Sequence, residues 1–219
     1  MTDFRPLLRW TLAAIAACII AVVFSYYFID RPVAYFVHRH DFARFRLLKW
    51  LTYPPPVMQT TSPLVIALLA VRRAWGRWRR WQLTLLVACV SLVVADQFRE
   101  SLGELCARDW PETWHDNNPS LIGTGAYGFH PFQSASDTGS FPSGHAARIA
   151  AFLGVFWFAL PRARWLYAAI ALPMLIALVA MNYHFVSDVI AGTTLGTIIA
   201  AWATQLILAL ARGLPSTAR

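Results

Sequence analysis

Residues 165–188 read WLYAAIALPMLIALVAMNYHFVSD. The first part is apolar on every side, so it offers no wet face to a soluble fold and reads as a membrane helix. The last part turns abruptly polar and delivers His184, Ser187 and Asp188 at its exit. Working outward, five more apolar runs appear at roughly 8–28, 57–72, 81–99, 146–160 and 187–211, with this one taken as 165–183. Each approaches the ~20 apolar residues that a bilayer core requires. The runs at 57–72 and 146–160 are short, and tilt or flanking residues would make up the difference. The fold expected is all-α: a six-transmembrane-helix bundle with an interfacial helix and a long periplasmic loop.

Composition agrees. Of 219 residues 58% are apolar, including Trp 10 and Phe 14, which is too apolar for a soluble domain of this size. The net charge of +8 is carried almost wholly by Arg. These charges cluster beside the apolar runs, so orientation and anionic lipid headgroups account for them, and a nucleic-acid surface does not. The set Trp75, Trp78 and Trp81 among arginines reads as an interfacial belt. Cys18 and Cys89 fall within apolar runs and Cys106 has no obvious partner, so no disulfide is expected. The first run is longer than a signal-peptide core and lacks a small-x-small cleavage site, so we read it as a retained helix.

Three segments follow: 1–56, an N-terminal transmembrane helix with an interfacial segment; 57–211, a single helical membrane core; and 212–219, a cytoplasmic tail. Within 31–56, aromatics mix with Arg39, Arg44, Arg46 and Lys49, which suits an amphipathic interfacial helix. Pro54-Pro55-Pro56 closes it. Arg72–Arg80, Arg162 with Arg164, and Arg5 with Arg9 all fall on one side of a six-span layout, which should be cytoplasmic. The basic 31–49 stretch then lies outside, against the rule, but the Arg72–Arg80 cluster is denser. The connection at about 100–141 faces out, is rich in Gly, Pro, Asn and Ser, and is long enough to suggest function.

Both histidine strings meet that outer face. In Phe141-Pro142-Ser143-Gly144-His145, Pro142 suits a first helical turn, and Ser143 and Gly144 offer backbone N–H groups at a helix start. Such a start cradles anions. His145 stands where a proton could be given to a leaving oxygen. In the second string His184 and Asp188 are four apart, on one face if the segment is helical. The carboxylate would then fix the imidazole tautomer and free the other nitrogen to attack. Plainer roles stay open on the residues alone: helix capping by Ser143, and a structural His–Asp pair or metal site.

Taken together, Pro142-Ser143-Gly144-His145 and His184-x3-Asp188 resemble the motifs of the type 2 phosphatidic acid phosphatase superfamily, over about residues 57–205. That family's pattern runs K-x6-R-P, P-S-G-H, S-R-x5-H-x3-D. The resemblance implies a membrane-bound hydrolase of lipid phosphates with no cofactor and no metal. His184 would form a phosphohistidine, Asp188 would orient it, and His145 would protonate the leaving alkoxide. Ser143 and Gly144 would hold phosphoryl oxygens. The partners implied are a lipid phosphate substrate and membrane lipids, at a bacterial inner membrane with the site facing the periplasm.

This chain departs from the pattern at three cations. Gly103 and Trp110 stand where the first motif's Lys and Arg belong, and Leu178 stands at the third motif's Arg, with Ala177 at its Ser. Arg108, Arg148 and Arg99 are the available substitutes. Arg148 lies one turn after His145, just inside an apolar run, where a cation needs a partner that phosphate would supply. Asp96, Gln97, Asn182 and Tyr183 are expected to border the site, whereas His115 and His130 read as solvated loop residues. Other readings are a phosphotransferase on the same site and a non-catalytic phospholipid-binding relative. Retention of both imidazoles and Asp188 weighs against the latter.

Overall fold

A computed structural model describes residues 3–114, 117–132 and 139–213, the last six by backbone only. His115 and all but the first two positions of the tail expected at 212–219 lie outside the described residues. The helices are α1 (Arg5–Phe28), α2 (Asp30–Arg39), α3 (Arg46–Leu51), α4 (Pro54–Ala74), α5 (Arg80–Cys106), a single turn α6 (Leu121–Thr124), α7 (Gly144–Ala159), α8 (Arg164–Ala180) and α9 (Val186–Gly213). Among the described residues there is no strand, only two isolated bridges in the loop between α5 and α7. Among the described residues, five stretches are long and apolar enough to cross a membrane: Arg5–Phe28, Arg46–Ala74, Arg80–Cys106, Pro161–Ala180 and Val186–Ile207. The sixth expected span, α7, is 16 residues long. At 1.5 Å per residue that is about 24 Å, short of a ~30 Å hydrocarbon core.

The N-terminal region differs from expectation in its boundaries. α2 is the amphipathic helix, burying Asp30, Ala34 and Val37 on one face while Arg31, His38 and Arg39 stay exposed. Residues 46–51, expected to belong to the interfacial segment, instead run with α4 as one apolar stretch. Pro54 and Pro55 open α4, where missing N–H groups cost nothing. α5 also runs further than the apolar pattern suggested. It continues past residue 99 to Cys106 and stops at Ala107, which adopts a left-handed conformation at φ 42°. Arg99 is therefore two turns inside the helix and not at its end.

The bundle centres on α7 and α9, with α5 against α7, α1 against α9 and α4 against α5. Small residues set how closely α7 and α9 approach. A methyl group on Gly192 would strike the Ser143 carbonyl and come within 3.1 Å of the Ala146 Cβ. One on Gly196 would meet the Ala151 backbone nitrogen at 2.7 Å. Lipid tails are as apolar as side chains, so close helix contact of this kind is what holds a membrane bundle together. Gly192→Val should therefore overpack the seam at a cost of roughly 1–3 kcal/mol. The check is a thermal unfolding midpoint in detergent; an unchanged midpoint would mean that the seam tolerates the side chain. Because Ser143 forms part of the obstacle, the same change should also displace the start of α7.

Candidate active site

In its described parts, the connection between α5 and α7 folds back on itself. Asp109 N–H donates to Gly128 O at 3.1 Å, Trp110 N–H to Pro119 O at 3.2 Å, and Ser140 N–H to Arg108 O at 3.3 Å. Ser120 caps α6 through Gly123 N–H at 2.9 Å. The Tyr127 hydroxyl donates to the Tyr26 carbonyl at the end of α1, 2.5 Å away. These bonds bring Ser140 and Trp110 over the two histidines.

α7 begins at Gly144, two residues after the proline expected in its first turn. Ser143 is the cap, with its hydroxyl accepting from Ala146 N–H at 3.3 Å, and Pro142 lies before the helix. The Ser143 N–H is not offered to an anion as expected, because it donates to the Asp188 carbonyl at 3.0 Å. Helix geometry leaves the first amides without intrahelical acceptors. Those of Gly144 and His145 have no acceptor among the described residues.

His184 sits in the turn before α9, not within a helix, so the four-residue spacing to Asp188 does not by itself bring the two side chains together. Its Nδ1 lies 3.0 Å from the Ser140 carbonyl and 3.8 Å from the Asp188 carboxylate. A carbonyl only accepts, so Nδ1 carries the proton and the Nε2 lone pair of the neutral ring is left free. The tautomer is held by a backbone carbonyl from the loop, where the sequence pointed to Asp188. The His145 and His184 ring centroids are 5.9 Å apart, edge to face, and the Trp110 ring lies 5.4 Å from His184 on another side. Trp110, read in the sequence as a missing cation, is thus a wall of the histidine site.

Asp188 has other partners. It accepts from Phe185 N–H at 2.9 Å, closing the first turn of α9, and is paired with Arg108 Nη1. Arg108 is fully buried. Its Nη1 also bonds the Ser187 hydroxyl at 2.6 Å, and its Nη2 bonds Asp30 at 2.7 Å. The rings of Phe185, Phe129, Tyr26 and Tyr127 surround its guanidinium, with the nearest centroid 4.4 Å away. Burial opposes the charge, but Asp188 and Asp30 outweigh it and hold the Arg108 pKa above the ordinary arginine value. The expectation that Arg108 contacts phosphate is thereby corrected: its terminal nitrogens are spent on two carboxylates and a hydroxyl.

The cations that do border the cradle are Arg99 and Arg148. Arg99 Nη2 donates to Gly139 O at 2.9 Å and Nε to Pro142 O at 3.3 Å. Its Nε would lie only 3.1 Å from a Cβ placed on Gly144, and Arg148 Cζ 3.6 Å from the same point. Gly144 thus admits both guanidinium groups to the helix start. Arg148 already has a protein partner, Asp96, bonded by Nε at 2.7 Å and by Nη2 at 2.6 Å. Gln59 Nε2 donates to the other Asp96 oxygen at 2.6 Å. His130 bonds Asp109 at 2.9 Å and stays at the loop edge. Asn182, with φ 50°, fastens the His184 turn through Nδ2 to Ala34 O at 3.1 Å and to Glu112 at 3.2 Å.

Sequence reasoning missed Asp30 and the Ser140 carbonyl. Asp30 had one legible sign, a lone acid at the exit of an apolar run. The carbonyl had none, since a backbone group carries no residue-type signal.

This fold and site define a multi-pass helical membrane protein whose paired imidazoles stand beside the N-terminal turn of α7. The chain belongs to the PAP2 superfamily, whose family model matches residues 81–212. It is similar to a lipid A 1-phosphatase of Rhizobium johnstonii, 32% identical over 114 residues, which is 52% of this chain and 41% of that protein. A lipid A 1-phosphatase of Rhizobium etli is 32% identical over 104 residues, 48% of this chain and 40% of that one. The match therefore spans about two fifths of the length of these relatives. Among solved structures, a transmembrane PAP2-type phosphatidylglycerolphosphate phosphatase from Bacillus subtilis shares the fold with a TM-score of 0.50. It is 19% identical, over 97% of this chain and 100% of that one.

Proposed function

We propose that this protein is a membrane lipid phosphatase that hydrolyses a phosphate monoester or pyrophosphate of a lipid through a phosphohistidine at His184, without a metal. The observation that carries this reading is the His184 ring, fixed by Nδ1–H to Ser140 O at 3.0 Å and facing His145 beside the amides of Gly144 and His145. His184 Nε2 attacks phosphorus, the P–O bond to the lipid breaks, and His145 gives its proton to the departing alkoxide. Water, with His145 now acting as base, then cleaves the P–N bond and releases phosphate. The two free amides with Arg99 and Arg148 stabilise the charge on the phosphoryl oxygens. Asp188 acts as a positioning residue for the turn that carries His184. Similarity to two lipid A 1-phosphatases supports lipid A phosphates as first candidates, to be tried beside phosphatidic acid, phosphatidylglycerol phosphate and isoprenyl pyrophosphates. The site faces the periplasm of a bacterial inner membrane.

The test is phosphate release from a panel of these lipids in detergent micelles containing EDTA, with a search for an acid-labile, alkali-stable phosphoryl label on the protein. Release with the label on His184 is the expected result. Release that EDTA abolishes would remove the metal-free mechanism. Phosphate passed to a second lipid with none reaching water would make the protein a phosphotransferase.

A further inference from the structure

The N-terminal helix pair reaches into the site. Asp30, the first residue of α2, is 1% exposed and lies outside the 81–212 region that the family model matches. Its Oδ1 accepts from Ser187 N–H at 3.0 Å. Its Oδ2 accepts from Arg108 Nη2 at 2.7 Å and also from the Ser187 hydroxyl. Arg108 in turn binds Ser187 and Asp188. One guanidinium thus stands between two carboxylates, Asp30 from the end of the first span and Asp188 from the start of the last. The cluster sets two carboxyl groups against one guanidinium.

Such an arrangement is costly unless every member is held, because burying an ion strips its water. Here the members hold the turn at residues 184–188 from both sides. Asp30 fastens the Ser187 amide, and Asp188 fastens the Phe185 amide at 2.9 Å. Asn182 is tied to the same α2 through Ala34 O. His184 lies inside this clamp, three residues from Ser187.

We propose that Asp30 is a positioning residue of the active site, acting through Arg108 and Ser187 to hold the His184–Asp188 turn in register with Ser140 and the start of α7. The matched core then does not carry a complete site by itself, and the α1–α2 segment supplies its last carboxylate. This rests on the phosphatase reading only for its activity readout.

The experiment compares full-length wild type, Asp30→Asn, Asp30→Glu, Arg108→Gln and the double variant Asp30→Asn/Arg108→Gln in detergent. The measurements are thermal midpoint, kcat and KM with whichever lipid phosphate wild type hydrolyses, and the His184 Nδ1–H proton resonance, assigned by its loss in His184→Gln. Asp30→Asn keeps the shape and loses the charge. It should stay folded, lose about 10–100-fold in kcat with KM within about threefold, and broaden the His184 resonance, as a misplaced reacting group would. Because Asp30 acts through Arg108, the double variant should lose no more than the worse single variant.

Wild-type kcat and an unshifted resonance in Asp30→Asn would overturn the proposal, as would additive losses in the double variant. If Asp30→Asn does not fold, Asp30→Glu decides: lowered kcat at unchanged KM supports positioning. Wild-type kcat, or failure of both variants to fold, assigns Asp30 to the fold alone. If wild type is inert on every lipid, the phosphatase reading fails by itself. The resonance then still tests the clamp.

Discussion

His184→Asn is expected to yield a folded protein with turnover reduced by at least about 10³-fold. The asparagine amide can still donate to the Ser140 carbonyl, which takes the His184 Nδ1–H at 3.0 Å, so the buried acceptor is not orphaned. What is lost is the Nε2 lone pair. His184 is 4% exposed, packed between Trp110 and His145, so the change leaves a small cavity and a modest stability cost. His184→Ala should be equally inactive and less stable, having lost the donor as well. The measurement is phosphate release per folded molecule, with folding judged by the thermal midpoint. Turnover within tenfold of wild type in His184→Asn would remove His184 as the nucleophile.

The second large effect is expected at Arg99. Its guanidinium lies against Gly144 and donates to Gly139 and Pro142 carbonyls, so it both shapes the loop and puts charge at the first amides of α7. Arg99→Ala should reduce kcat/KM by about 10²–10³-fold, the scale of losing one preorganised donor to a developing charge. Affinity for orthovanadate should fall in parallel, because vanadate uses the same oxygen contacts without needing the leaving group. Arg99→Lys should restore part of the affinity, as a point charge without the planar fork. Arg148→Ala should be milder in vanadate affinity and harsher in stability, since it leaves Asp96 buried with only Gln59 for company. Unchanged vanadate affinity in Arg99→Ala would show that the phosphoryl charge is met elsewhere.

The contrast between Arg99 and Arg108 shows how far the primary structure can be read. Both are arginines near the same motif gap, and both were reasonable substitutes for the absent cations. Their roles differ because α5 runs on to Cys106, bringing Arg99 against Gly144, while the loop turns Arg108 back toward α2. Where a helix stops depends on tertiary contacts that offset its capping costs, and the hydropathy pattern does not record them.

By itself the sequence determined what depends on local composition and spacing: the apolar spans, the long polar loop between the third and fourth, and the placing of His145 and His184 at span ends. Bilayer thickness makes span length a strict requirement, and a helix start leaves its first amides without intrahelical acceptors whatever the tertiary context. Only the tertiary structure decided which partner holds each charged group. Ser140 O lies closer to His184 Nδ1 than Asp188 does, Asp96 holds Arg148 beside the start of α7, and Asp30 came from 78 residues away to meet Arg108. In a buried, low-dielectric interior an unpaired charge is costly, and the partner that offsets the cost is whichever the packed helices bring within about 3 Å.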